Sequence, residues 1–353
     1  MALPSNTKRK IFDGRYEILS IVGRGADSVV YHARHINGSA QEVALKVLVN
    51  RKNGASLSDR LRKEALTLVS CRYRFVVRLD DFHSVDELCY LSMEYAPLGD
   101  LAKYVATKGS PLSIESATRY LQQCLEALDF IHATGVVHRD LKPENILVVS
   151  EQEIRLADFG LALLPGDDQE LDELKRGVGT FAYLPPEALE GIRYDSRSDL
   201  YALGLCFYEM ITGQHAFTST SMAEQLEARR TGSIRNISEV EPSIPVHIGD
   251  VIMKLLAFDP ADRFQTAADA LRALADTSFR VTPKERVAKT GEVTTSTKDN
   301  RQITAAVATQ QIHAEPESTL EEVGDIELPL EEPANTDPAP SRPPQRTSQP
   351  TEK

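Results

Sequence analysis

Cysteine is scarce in this sequence and never paired. Cys71, Cys89, Cys124 and Cys206 fall at no metal-ligand spacing, which reads as reduced core residues rather than a zinc site or a disulfide framework. No apolar run approaches the length of a membrane span, and Met1–Lys10 lacks the apolar core of a secretory leader. A cytoplasmic chain without a membrane span is therefore expected. Positive charge is also short: the net charge of -12 argues against a general nucleic-acid binder, so no nucleic-acid partner is expected. Much of that charge is terminal, because residues 315–353 carry ten Asp or Glu against three Lys or Arg.

The 353 residues present exceed one average domain and can bury a sizeable core. The most informative stretch is His138-Arg139-Asp140-Leu141-Lys142-Pro143-Glu144-Asn145, followed by the apolar run Ile146–Val149. Phosphoryl transfer to a hydroxyl asks for such a set. Asp140 can orient an alcohol and accept its proton, Lys142 can neutralise the transferring group, and Asn145 offers an oxygen to a magnesium ion.

Upstream parts fit the same chemistry. Residues 1–13 are polar and basic and read as a flexible arm. A strand over Tyr16–Val22 leads into Gly23-Arg24-Gly25-Ala26-Asp27-Ser28. Two glycines one residue apart let the backbone lie close over phosphate oxygens, though a plain hairpin turn would look similar. In the strand Val43–Leu48, period-two geometry puts Ala44 and Lys46 on one face and Val43, Leu45 and Val47 on the other. A small residue beside a lysine suits adenine over Ala44 and phosphates at Lys46. Leu57, Leu61, Ala65 and Leu68 form a helical stripe, with Glu64 beside it and able to hold Lys46. A longer helical face follows from Ile114 to Ile131, with Ser113 as its N-cap. After Asn145 a hairpin turning near Ser150–Glu153 delivers Asp158-Phe159-Gly160, eighteen residues after Asp140.

Together these stretches resemble the eukaryotic-like serine/threonine protein kinases, in a style closer to bacterial members, over about residues 14–276. The resemblance implies an α+β fold of two lobes: a small antiparallel β-rich lobe (14–93) with one main helix, a hinge (94–100) and a larger helical lobe (101–276). It implies ATP and Mg2+, or Mn2+, as cofactors and protein Ser/Thr hydroxyls as acceptors, with autophosphorylation expected. On that pattern Asp140 and Lys142 are catalytic, and Asn145 and Asp158 are the metal ligands. The nucleotide is met by Ile21, Gly23, Gly25, Val30, Ala44, Lys46, Glu64 and Leu147, with Met93 at the back of the adenine pocket. Backbone groups of Glu94 and Ala96 bond the adenine edge, and Asp100 reaches the ribose. Glu187 pairs with Arg263, and Asp199 braces the catalytic loop. Lys142 and Thr180 fit the serine/threonine branch.

Two departures stand out: Ser28 replaces the third glycine, and Pro185-Pro186-Glu187 replaces Ala-Pro-Glu. Family members often pair through the small lobe, so a homodimer of that kind is an expectation. A pseudokinase scaffold is the competing reading, but it predicts loss of the lysine or of a metal ligand, and none is lost. A small-molecule kinase has little need of the peptide-binding stretch Gly179–Glu187.

Arg139 beside Asp140 signals control by a phosphate on the activation segment. Yet no Ser, Thr or Tyr lies between Phe159 and Gly179; Asp167, Asp168, Glu170, Asp172 and Glu173 are there instead. Two readings stay open: a carboxylate from this run pairs with Arg139 and keeps the loop ordered without phosphorylation, or the run is simply a solvated acidic loop. Residues 277–353, rich in Thr, Pro and Glu, are expected to be disordered. Thr290, Thr294, Thr295, Ser296 and Thr297 form a candidate autophosphorylation cluster to which a phosphate-binding module could dock.

Overall fold

The computed structural model describes residues 10–25, 27–36, 41–48, 54–85, 88–166, 180–189, 194–217, 224, 227–229, 231, 233–281 and 330–331. The first part of the chain is a curled antiparallel sheet. Its strands are β1 (Lys10–Phe12), β2 (Tyr16–Arg24), β3 (Ser28–His35), β4 (Glu42–Leu48), β5 (Leu79–Val85) and β6 (Leu88–Glu94). With Leu330–Glu331 as a further edge strand, the order is β5-β6-β4-β3-β2-β1 and then 330–331. The alternation expected for β4 is present: Val43, Leu45 and Val47 are buried with Tyr16, Tyr31, Ala33 and Tyr90. Residues directly opposite in an antiparallel ladder share a face. Pairing Lys46 with Val30 and Ala44 with Met93 therefore lines Val30, Ala44, Lys46 and Met93 along the other face. Helix α1 (Gly54–Ser70) turns Leu57, Leu61, Glu64, Ala65 and Leu68 inward.

The chain departs from the sequence reading at both ends of the folded region. Lys10–Phe12, expected in a loose arm, pair with β2, and Phe12 is 0% exposed with its ring edge-on to Tyr90 at 5.1 Å. Only Ile11 and Phe12 stand as apolar residues directly before the Asp13-Gly14 turn, too few for a periodic signal. Past residue 276, Phe279 packs on Phe264 (5.8 Å between centroids), and the Val281 N–H donates to Asp250 at 3.2 Å. Packing thus runs on to Val281. The Thr/Ser cluster between 290 and 297 lies outside the described residues.

The second part is helical: α2 (Leu101–Lys108), α3 (Ile114–Ala133), α4 (Pro186–Leu189), α5 (Ser196–Thr212), α6 (Ile237–Val240), α7 (Val246–Leu255) and α8 (Ala267–Ala275). Ser113 caps α3 by accepting from the Ser116 N–H at 3.2 Å, and Ala117, Leu121, Cys124, Leu128 and Ile131 are buried along one face. Helix α5 runs through the core. A Cβ at Gly204 would lie 2.9 Å from Leu256 Cδ2 and 3.0 Å from Leu255 Cβ, so only glycine permits this approach of α5 and α7. The hairpin β7 (Ile146–Ser150) and β8 (Glu153–Leu156) follows the loop 138–145. All four cysteines are free and buried. Among the described residues no helix is long and apolar enough to cross a membrane.

Candidate active site

The loop 138–145 is held from below by one buried carboxylate. Asp199, 0% exposed at the start of α5, accepts the backbone N–H of His138 (2.8 Å) and of Arg139 (2.9 Å), and the His132 Nε2 lies 2.8 Å away. Arg139 sits at φ 69, a region that costs a non-glycine residue free energy and persists only where neighbours over-determine it. The two amide bonds to Asp199 do that here. The His138 ring, fully buried, contacts the Ala157 carbonyl at 3.0 Å and packs on Phe159 at 4.6 Å, joining this loop to the segment bearing Asp158.

On that base three polar side chains converge. The Lys142 ammonium donates to Asp140 Oδ2 at 2.8 Å, and Asn145 Nδ2 donates to the same oxygen at 2.9 Å and to the Asp140 carbonyl at 2.7 Å. Asp140 is 4% exposed, so its carboxylate is fixed in direction by its donors rather than by water. With Nδ2 committed to Asp140, the Asn145 side-chain oxygen is the atom left to face a cation.

From the small lobe, Lys46 Nζ donates to Glu64 Oε1 (2.9 Å), Glu64 Oε2 (2.8 Å) and Asp158 Oδ1 (2.9 Å). Burial alone would lower the Lys46 pKa, but Asp158 and Glu64 outweigh it and hold the ammonium charged. Burial pushes the Glu64 carboxyl up, against the pull of Lys46. Asp158 goes the other way: the Lys46 charge brings it down to about 2, more than burial raises it. Asp158 sits at φ 63, and a Cβ at residue 160 would lie 3.3 Å from its Oδ1, which makes Gly160 the residue that fits there. A carboxylate ionised across the neutral range and an amide oxygen are hard donors that suit a divalent cation of the magnesium type.

The Asp158 shift has a testable sign. Its folded value lies below the usual 3.8, so its stabilising contribution is complete above that value and lost as pH falls towards 2. The difference in urea midpoint between the native chain and Asp158→Asn is expected to be constant from neutrality down to mildly acidic pH, then to close towards pH 2. A gap that widens on acidification would contradict the assignment.

Around the nucleotide position Ala44, Met93 and Ala96 are buried, Val30 and Leu147 are half-buried, and Ile21 is 46% exposed at the mouth. The Glu94 N–H is already bonded to the Arg78 carbonyl at 2.9 Å, so the backbone group Glu94 can offer a base is its carbonyl. Gly25 closes its loop by donating to the Ser28 carbonyl at 2.8 Å. Asp100 has a task the sequence reading did not include: it caps α2 by accepting the Lys103 N–H at 2.9 Å and pairs with the Lys103 ammonium at 2.9 Å. That ammonium also donates to the Val22 carbonyl at 3.2 Å, tying the strand before Gly23 to the large lobe. Lys103 was missed, although an acid and a lysine three apart at a helix start is a readable signal.

At the far end of the activation segment, Thr180–Tyr183 form a 3-10 turn, and α4 follows with Glu187. The Arg263 guanidinium grips Glu187 with two bonds of 2.8 Å. The Tyr183 hydroxyl donates to Glu209 at 2.7 Å and Arg229 donates to the Ala182 carbonyl at 2.7 Å, which fixes the turn onto α5. Arg139 is 5% exposed, and its Nε has no hydrogen-bond partner among the described residues. The acidic run from Asp167 to Glu173, one candidate for its counter-charge, lies outside the described residues.

Comparison with known proteins agrees with this architecture. The protein kinase domain model matches residues 16–274. A probable serine/threonine-protein kinase of Clostridium perfringens is 33% identical over 82% of the chain and 40% of its own length. Serine/threonine-protein kinase PrkC of Bacillus subtilis is 31% identical over 74% of the chain and 40% of its own length. CBL-interacting protein kinase 11 of rice is 30% identical over 91% of the chain and 61% of its own length. The chain thus spans about half the length of these relatives. With the matching domain, the two-lobed fold and serine/threonine kinases on every side of it, the chain belongs to the eukaryotic-like serine/threonine protein kinase family.

Proposed function

We propose that this chain transfers the γ-phosphate of ATP, with Mg2+, to serine and threonine hydroxyls of proteins. The observation that carries the proposal is the convergence of Lys142 and Asn145 on the buried Asp140 carboxylate, joined through His138 to the segment that bears Asp158. Asp140 orients the acceptor hydroxyl and takes its proton late, as the oxygen commits to phosphorus. Lys142 offsets charge on the phosphoryl oxygens. Lys46, held by Glu64, positions the remaining phosphates, while Ala44, Met93 and the Glu94 carbonyl receive the base. Asn145 and Asp158 would hold the cation, which supplies charge neutralisation when bound. Most of the acceleration then comes from positioning and electrostatics rather than from a strong base.

Labelled ATP with a generic basic protein tests the reading. Phosphoserine or phosphothreonine formed with Mg2+ and abolished by chelator is the expected result. Phosphotyrosine alone, or bound ATP with no transfer, would overturn it, the latter in favour of a scaffold.

The proposal has three further parts. Pairing of two copies through the small lobe is supported by Leu66 and Val69, exposed on α1 at 58% and 64%. Action in the cytoplasm is supported by the four free thiols. A phosphate-binding module at the 290–297 cluster rests on its run of hydroxyls.

A further inference from the structure

Strand β1 is paired on both sides. One side meets β2, with Lys10 opposite Ile18 and Phe12 opposite Tyr16. The other meets a distant part of the chain, with Ile11 opposite Glu331 and Phe12 opposite Leu330, antiparallel. We infer that this outer edge of β1 is a docking site for the chain's own proline-bracketed acidic segment around Leu330–Glu331, bound in cis as the guard of the small-lobe sheet.

The sequence around the segment confines it to this use. Pro329 and Pro333 flank Leu330-Glu331-Glu332. Proline carries no N–H and cannot donate to a ladder, so the pairing window is three residues wide and has little room to slip. Charge favours the same partner. In the sequence Lys8-Arg9 lead into Lys10 of β1, and the stretch around Leu330–Glu331 carries Glu327, Glu331 and Glu332 in a region of ten acids to three bases. Opposite charges of this kind steer encounter and select against wrong partners.

The receiving edge is also built in advance. Phe12 is fully buried, the Arg15 N–H closes the following turn on the Phe12 carbonyl at 3.1 Å, and Asp13 in that turn accepts the Tyr90 hydroxyl at 2.6 Å. A short strand docking on a preformed edge orders little beyond itself. Reach is not limiting. Val281 is tied to Asp250 of the large lobe, and residues 282–329 extended would span on the order of 150 Å. Covalent connection through a tether of that length gives the segment an effective concentration approaching the millimolar range, so pairing too weak between separate molecules is populated within one. An uncovered β1 would instead present open N–H and C=O groups to any strand nearby.

Hydrogen exchange on the full chain tests this. Leu330→Pro places a third proline inside the pairing window and alters no residue of either lobe, and the peptide covering residues 10–13 is expected to exchange about tenfold faster than in the native chain. Glu331→Lys with Glu332→Lys is expected to give a smaller acceleration. A synthetic peptide of residues 325–335, in excess, should restore protection to the Leu330→Pro chain. Unchanged exchange in Leu330→Pro would overturn the proposal. Protection in the native chain that rises with protein concentration would also overturn it, because the occupant would then be a second copy.

Discussion

Asp140→Asn is expected to lower the rate of phosphate transfer by about 10²- to 10⁴-fold, roughly 3–5 kcal/mol of barrier, while leaving ATP binding within about threefold of the native chain. The reason lies in what the substitution removes and what it spares. The amide keeps the shape of the carboxylate but turns one oxygen into a donor, in a site where Lys142 and Asn145 already donate from 2.8 and 2.9 Å. Both contacts end on Oδ2, so an amide nitrogen there sets donor against donor twice, while one in place of Oδ1 spares them. In either orientation Lys142 loses its counter-charge and no carboxylate remains to take the substrate proton. The scaffold under the loop is spared, because the Asp199 bonds to the His138 and Arg139 amides use backbone atoms. Lys46 keeps its bonds to Glu64 and Asp158, so the nucleotide should still bind. Single-turnover transfer from labelled ATP, set beside binding of a fluorescent ATP analogue, separates the two effects. Turnover within threefold of the native rate would remove Asp140 from the chemistry.

Much of this site was legible because its residues obey local rules. The period-two alternation of β4 separates Lys46 from Val43, Leu45 and Val47, and the helical stripe of α1 carries Glu64 on its buried side. The Lys46–Glu64 bond follows from those two periodicities plus a cleft. The Ser113 cap was readable for the same reason. What the sequence hid depends on three-dimensional closure. Asp100 also serves as the cap of α2, and the second bond of Lys103, to the Val22 carbonyl, spans two lobes. Neither Lys10–Phe12 nor Leu330–Glu331 has enough residues for a periodic pattern, and each is a strand only because the other elements supply its ladder. The activation segment lacks any acceptor hydroxyl between Phe159 and Gly179. That fact was visible in the sequence, while the burial of the Arg139 guanidinium, with no partner for its Nε among the described residues, was visible only in the structure.

Breaking the Glu187–Arg263 pair is expected to be the most destabilising single change in the large lobe, at about 3–5 kcal/mol for Glu187→Ala or for Arg263→Met. The two side chains are 5% and 0% exposed, so neither can recover its lost partner from water. Their attraction alone does not set the magnitude, since desolvation offsets much of it. The cost arises because a lone buried ion remains. The two variants should differ in kind. Arg263 keeps backbone acceptors at Ala257, Arg197 and Phe258, and its guanidinium lies 4.6 Å from the Tyr201 ring centre, so the arginine left behind by Glu187→Ala is partly satisfied. The carboxylate left behind by Arg263→Met retains the Ser198 hydroxyl at 2.7 Å, which cannot neutralise it. Arg263→Met should therefore be the worse of the two, and the double variant should lose less than the sum, because it leaves no uncompensated charge. Against a total stability of about 5–15 kcal/mol, either single loss would shift a urea midpoint visibly. The solvent-exposed Lys108–Glu151 contact at 3.0 Å provides the control, for which Lys108→Ala should leave the midpoint unmoved. Single variants of the buried pair that unfold at the native midpoint would mean that water reaches Glu187. The α4 anchor would then not be what holds the Thr180–Tyr183 turn against α5.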